Sequence, residues 1–415
     1  MVLDEPFRVF FPLGVLAGMW GVLLWPLFYA GHLEFYPSEA HTRIMIQGFL
    51  GAFVLGFLGT AFPRLAGNRR WSALEFGGML LLWGLSMIWH STGKGQWADF
   101  AFASMLVLLW SGMAGRWMIG RGDTPPPGFV LAFAGIAGAA VAAVYLGWAD
   151  GMTPFGWRLA RLFLFQGFLL LPLMGIGPYL LPRFFGRESK HSFETSRCPP
   201  AGWWRRAAAS VVAGVLVAGS FVIEAMESPL AGQLLRAVVV VIWFAWETPV
   251  FRTAKQGNTP ASAVRWAVSS LIVGLVCAAS WPHARVGSLH LFFVSGLGLV
   301  TLTAGTRVIL GHAGRHDLLT GKIIWLRWVT GLVVLAAATR MTSDFIPAVR
   351  VSHHIYAAWT WVAAGAIWLL ALGRFLLRDD SGPPKTSRCP RNPKRTEPHN
   401  PAGPSGASEP GVGLG

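Results

Sequence analysis

The chain carries about twelve apolar runs, each close to the roughly 20 residues that a helix needs to cross a hydrocarbon core. Their approximate limits are 9–30, 44–63, 73–90, 98–118, 128–148, 159–182, 207–223, 230–250, 264–281, 286–310, 323–340 and 351–376. Lipid offers no partner to a backbone amide, so continuous runs of this kind cross a membrane only as helices. Outer-membrane strands alternate apolar and polar residues instead. Composition agrees: 53% of the 415 residues are hydrophobic and 13% are charged, against about 25% charged in soluble proteins. A soluble fold of this size could not hide so much apolar surface. The expectation is an all-α polytopic transmembrane bundle over residues 1–378. The first run follows Asp4 and Glu5 rather than basic residues, and reads as a retained span, not a leader.

The net charge of +15 is a map of sidedness. The even-numbered loops and the tail hold 24 of the 34 basic residues; the odd-numbered loops hold seven. By the positive-inside rule, both termini lie in the cytoplasm and the span count is even. Anionic lipid headgroups are the natural partner of the basic side. No nucleic-acid-binding motif accompanies the charge, and a nucleic-acid partner is not expected. Residues 379–415, with eight Pro and six Gly, read as a disordered basic tail. The string Thr-Ser-Arg-Cys-Pro occurs at 195–199 and 386–390 without a physical account. The three cysteines form no Cys-x-x-Cys pair, which argues against disulfides and covalent haem.

Histidine carries most of the possible chemistry. Seven of eleven, His32, His41, His90, His283, His290, His353 and His354, fall at the outer ends of spans. Singly, such residues are more often interface or loop residues than ligands, and His32 and His90 are read that way. At about 100° per residue, His290, Val294, Gly298, Thr301, Gly305 and His312 share one stripe. His41, Gly48, Ala52 and Gly59 share another. Small-residue stripes admit a neighbouring backbone or a flat cofactor. His353 and His354 are adjacent and point apart. Arg236, Arg307 and Arg327, near span ends, read as snorkelling, and Glu224, Glu227 and Glu247 as loop or interface residues. A buried Arg can alternatively hold an anion such as a haem propionate.

Three strings resemble those of the NnrS family. Gly48-Phe49, then Gly56-Phe57-Leu58-Gly59-Thr60-Ala61-Phe62-Pro63, is similar to its GF…GFLLTAxP stretch. Leu289-His290, followed by Thr306-Arg307-Val308-Ile309-Leu310-Gly311-His312-Ala313-Gly314-Arg315, is similar to its LH…TRxxLGHxGR pattern. Gly167 to Pro172 and Gly177 to Arg183 also look like their family counterparts. The resemblance implies a twelve-span bacterial inner-membrane protein carrying haem and copper, linked to nitric oxide metabolism and resistance to nitrosative stress. The family often has His-x-His-Glu-Met before its Gly-Phe run. Here His41 and Met45 keep the first and last positions, while Arg43 and Ile44 replace the second His and the Glu.

Together, the residues and the resemblance point to a haem held near the outer leaflet by His41 and His290, with His353 or His354 supporting haem or copper. Arg307 and His312, at the inner end, either serve a second site or only fold their loop. Nitric oxide is the expected small ligand. Two other classes stay open: a catalyst related to haem-copper oxidases and nitric oxide reductases, and a secondary transporter, for which the Gly177-Pro178 break speaks.

Overall fold

Each apolar run becomes a long helix, and where runs are bounded by polar residues the caps are visible. Ser72 Oγ accepts from the Glu75 N–H (3.2 Å), and the Glu75 carboxylate accepts from the Ser72 N–H (2.7 Å), a capping box that starts the third helix. Thr153 before Pro154 and Asn258 before Thr259 cap two more. The structure, a computed structural model, describes residues 3–148, 151–189, 197–252 and 257–376. The tail and both Thr-Ser-Arg-Cys-Pro strings lie wholly or partly outside the described residues.

Among the described residues, twelve long helical segments run through the protein and there is no strand. They are α1 (Phe7–Tyr29), α2 (Ser38–Leu65), α3 (Ala73–Ser91), α4 (Gly95–Met118), α5 (Phe129–Gly147), α6 (Pro154–Phe185), α7 (Trp203–Ala225), α8 (Pro229–Glu247), α9 (Thr259–Ser280), α10 (Pro282–His312), α11 (Ile324–Phe345) and α12 (Pro347–Leu376). Eleven are long and apolar enough to span a membrane; α3 is less apolar. Its contacts nevertheless carry it from end to end. Near its start, Glu75 pairs with Arg116 at the end of α4 (2.8 Å). Near its finish, His90 meets Gln47 of α2 (2.8 Å). The first and last helices meet at one face, where Arg8 Nη1 donates to the Leu376 carbonyl (2.6 Å). An even number of crossings produces that closure.

The twelve helices fall into three groups of four. In each group the second helix is the longest, with 28, 32 and 31 residues in α2, α6 and α10. Each of these contains a π-helical stretch: Ile44–Leu50, Phe163–Gly167 and Leu291–Gly298. The sequence carries the same register. Gln47-Gly48-Phe49-Leu50 and Gln166-Gly167-Phe168-Leu169 are identical strings, and Pro63-Arg64 and Pro182-Arg183 follow at the same spacing. In the third group, Ser295-Gly296 and Gly311-His312 occupy those positions. Neighbouring groups pack α4 on α5 and α8 on α9, and α12 closes the ring against α1. Since each group has four crossings, all three start on the same side, which makes them parallel repeats about an axis along the membrane normal.

Candidate metal centre

The small-residue stripe of α2 is a packing seam. A Cβ on Gly48 would meet Met87 of α3 and Ala17 of α1, Ala52 lies against Gly14, and Gly59 sits on Pro6 just before α1, so α1 and α3 together cover it. The α10 stripe is also filled: Gly298 faces Trp361 and Phe49, and Gly305 faces Phe53 and Trp368. Neighbouring helices, not a flat cofactor, pack on these glycines. The π-helical turns also shift the register, so a constant 100° step does not carry one face through α10.

At the histidine end the two stripes deliver their imidazoles to each other. His41 and His290 have ring centroids 6.5 Å apart and planes within 10° of parallel. His41 Nδ1 lies 2.9 Å from the Gly21 carbonyl of α1, and His290 Nδ1 lies 2.7 Å from the Val286 carbonyl one turn earlier. A carbonyl can only accept, so both Nδ1 atoms carry the proton and both Nε2 atoms keep a lone pair. Backbone anchoring of this kind fixes the tautomer and aims a metal ligand. Two imidazoles bound to one metal through Nε2, at about 2 Å each, place their centroids about 6 Å apart when opposed. The 6.5 Å separation is of that length, so His41 and His290 are the residues that would hold a metal ion or a haem iron at this end.

His354 adjoins the pair through Trp25, whose ring meets His354 edge-on at 5.0 Å and His41 at 6.0 Å. The Tyr29 hydroxyl lies 2.8 Å from His354 Nδ1. His354 is buried and its Nε2 has no hydrogen-bond partner. His353 takes another direction: its Nδ1 meets the Val349 carbonyl (3.1 Å) and its ring lies against Tyr356. Among the described residues no three His, Cys, Asp or Glu side chains converge closely enough to share one ion. Two imidazoles lie near-parallel and a third stands beside them. Arg340, paired with Asp344 (2.6 Å), lies near all three imidazoles, and Asp344 and Arg350 also act on His354.

Arg307 and His312 lie at the opposite, basic end. His312 Nε2 meets Arg64 (2.5 Å) and stands 3.7 Å from Glu5, with its ring on Phe7. The Arg307 guanidinium sits 5.1 Å over the Phe184 ring. From His290 to His312 is 22 residues, roughly 33 Å at 1.5 Å per residue, so these two belong to no site with His41.

Several polar residues read from sequence as interfacial are buried. His90 is 3% exposed, and its Nε2 lies 2.8 Å from Gln47 Oε1. Gln47 Nε2 donates to Asp99 (2.6 Å), which also pairs with Arg43. The arginine that replaces the second family histidine is thus neutralised inside the first repeat. In the second repeat, Arg236 is fully buried and pairs with Glu224 (2.8 Å). Arg236 also donates to Gln166 (2.5 Å) and Ser220 (3.0 Å). Snorkelling does not describe Arg236, and Glu224 is not a loop residue. The usable signal was the repeated Gln-Gly-Phe-Leu string, whose glutamine anchors each cluster.

The NnrS family, described as NnrS protein, matches residues 1–379. The chain belongs to the NnrS family. The match covers the whole helical ring, so the His41–His290 pair lies inside the family region. No curated protein matches the chain.

Proposed function

We propose that this NnrS-family membrane protein binds a metal centre, haem iron or copper, between His41 and His290 at the outer end of the bundle, and that the centre serves nitric oxide metabolism or resistance to nitrosative stress in the bacterial inner membrane. The parallel, backbone-anchored imidazole pair carries this reading. His41 and His290 would hold the metal, and His354 would stand next to it with its Nε2 free. A haem iron or copper ion held there would supply a metal that binds nitric oxide wherever a coordination position is left open. The chain's own part would be to fix the two Nε2 lone pairs and to set Trp25 against His41 and His354, with the Arg340–Asp344 pair nearby. At the other end, the exposed Arg64, Arg69, Arg70 and Arg183 face the cytoplasm and its anionic lipid.

The test is an absorption spectrum and metal analysis of the purified chain. A metal-dependent band that His41→Ala and His290→Ala each weaken, and that His353→Ala leaves in place, is expected. Protein free of iron and copper after expression with both supplied would refute the reading.

A further inference from the structure

The three inner helices do not close on one another. Between them lies a cavity of about 110 Å³, walled by α2, α6 and α10 with Phe11 of α1 at one side. Phe53, Phe57, Leu173, Leu297 and Ala304 are among its lining, and no charged side chain joins them. The cause is visible in the helices. Each of the three has its π-helical stretch just before the cavity, and Leu50 and Leu297 of two such stretches form part of its wall. Gly177, Ala304 and Gly305, small residues in the wall, leave the space between the helices unfilled. The three repeats thus shape a chamber on their common axis.

Thr301 supplies the lining's one side-chain hydroxyl. Its neighbours Thr303 and Thr306 donate to the carbonyls four residues back. A water molecule needs two to four polar partners to stay in such a space, and one hydroxyl does not provide them. An engineered apolar cavity of about 150 Å³ stays dry and takes benzene or xenon. The space is smaller than that and suits a molecule of two or three atoms.

We propose that this axial chamber is a docking site for one small apolar gas molecule, of the size and polarity of nitric oxide or dioxygen. It lies on the same two helices as the imidazole pair. Leu50 is nine residues beyond His41 and Leu297 seven beyond His290, so the chamber begins roughly 10–14 Å below the pair at 1.5 Å per residue. A gas dissolved in the bilayer would collect there within reach of the histidine end. The proposal rests on the cavity and does not require a metal at His41 and His290.

Xenon is the probe. The full chain in detergent, examined by crystallography under xenon pressure and by xenon NMR, is expected to hold one xenon atom between α2, α6 and α10. Ala304→Phe fills the chamber and is expected to abolish that site, whereas Leu173→Ala enlarges it and is expected to raise occupancy at the same pressure. The two variants act in opposite directions, so a folding defect in one does not decide the outcome. No xenon in the axial chamber of the wild-type chain, or equal occupancy in wild type and both variants, overturns the proposal. A metal-free protein that still binds xenon refutes the metal reading alone.

Discussion

Replacing Glu224 is expected to damage the protein more than replacing its buried partner Arg236. Glu224 is 4% exposed and receives two guanidinium groups, those of Arg236 and Arg285. Arg236 is fully buried, while the Arg285 side chain is about one third exposed. In Arg236→Met, the carboxylate keeps Arg285, and Gln166 and Ser220 lose a donor. Ser220 keeps its bond to the Val217 carbonyl, so the main loss is the Gln166 Oε1 left without its donor, about 1–3 kcal/mol for one unsatisfied buried acceptor. In Glu224→Gln, the Arg236 charge stays buried with no acid beside it, and breaking a buried pair in this way costs about 3–5 kcal/mol. The double variant Glu224→Gln/Arg236→Met is expected to be more stable than Glu224→Gln alone, because it removes the stranded charge. Unfolding by SDS titration in mixed micelles, followed by fluorescence of the 21 tryptophans, measures all three. The unfolded chain in micelles finds partners too, which shrinks each value without reversing the order. A functional readout accompanies this one. Arg285 begins the helical turn that ends at His290, so freeing it is expected to weaken the metal-dependent absorption. A larger loss for Arg236→Met than for Glu224→Gln, or a double variant equal to the sum of the singles, refutes the reasoning.

Other consequences follow from single contacts. Gly128 and Gly175 touch backbone to backbone: a Cβ on either would lie 2.2–2.3 Å from the other's carbonyl oxygen. Gly128→Ala or Gly175→Ala is therefore expected to push α5 from α6 and to cost at least about 1–3 kcal/mol in the same titration. Trp25→Ala is expected to lower metal retention during dialysis by about 10–100-fold, the scale of lost support around a metal ligand, and to do so without unfolding; unchanged retention counts against the part assigned to Trp25. At the basic end, burial raises the Glu5 pKa, but Arg8 (2.5 Å), His312 and Arg64 (3.1 Å) outweigh it and hold it below its ordinary value. A depressed carboxylate stabilises above its unfolded pKa, about 4.3, and that stability disappears as pH falls through the lower folded value. Glu5→Gln is expected to flatten the loss of melting temperature on acidification below about pH 4.3; an unchanged slope refutes the assignment.

The spans and the histidine pair were legible because each depends on local spacing: run length, loop charge, and His41 and His290 each standing just before a Gly-bearing helix. The buried clusters were not. His90 and Glu224 sit at span ends, where hydropathy cannot tell a headgroup neighbour from a facing helix, and their partners Asp99 and Arg236 belong to the following helix. The stripes were legible as stripes and misleading as cofactor slots, since glycine on a helix face admits a backbone as readily as a ring. The π-helical turns have no simple residue signature and alter the face on which every later residue falls. The threefold repeat was written in the identical strings at 47–50 and 166–169, yet the third copy, with Ser295 in place of the glutamine, hides it.

The repeat also explains why the imidazole pair sits where it does. A symmetric ring offers three equivalent positions at its histidine end. In the first repeat the position holds His41; in the second, the equivalent residue by the Gln-Gly-Phe-Leu register is Ala160; in the third it is Leu289, with His290 one place on. The second repeat therefore brings no imidazole, and its polar resources go to the Arg236–Glu224 cluster, which reaches across to hold Arg285 at the foot of His290. The first and third repeats are the pair joined by ring closure, α12 on α1. That closure carries Trp25 and Tyr29 on one side and His354 on the other. The imidazole pair thus straddles the seam where the first and last helices meet. Loosening α12 from α1, for example by Gly365→Leu against Val15 and Met19, is expected to separate His354 and Trp25 from His41 more than it disturbs α6. The difference is measurable as a changed metal spectrum with an unchanged xenon site. Equal loss of both would mean that the ring responds as one body and that the seam has no special part in the centre.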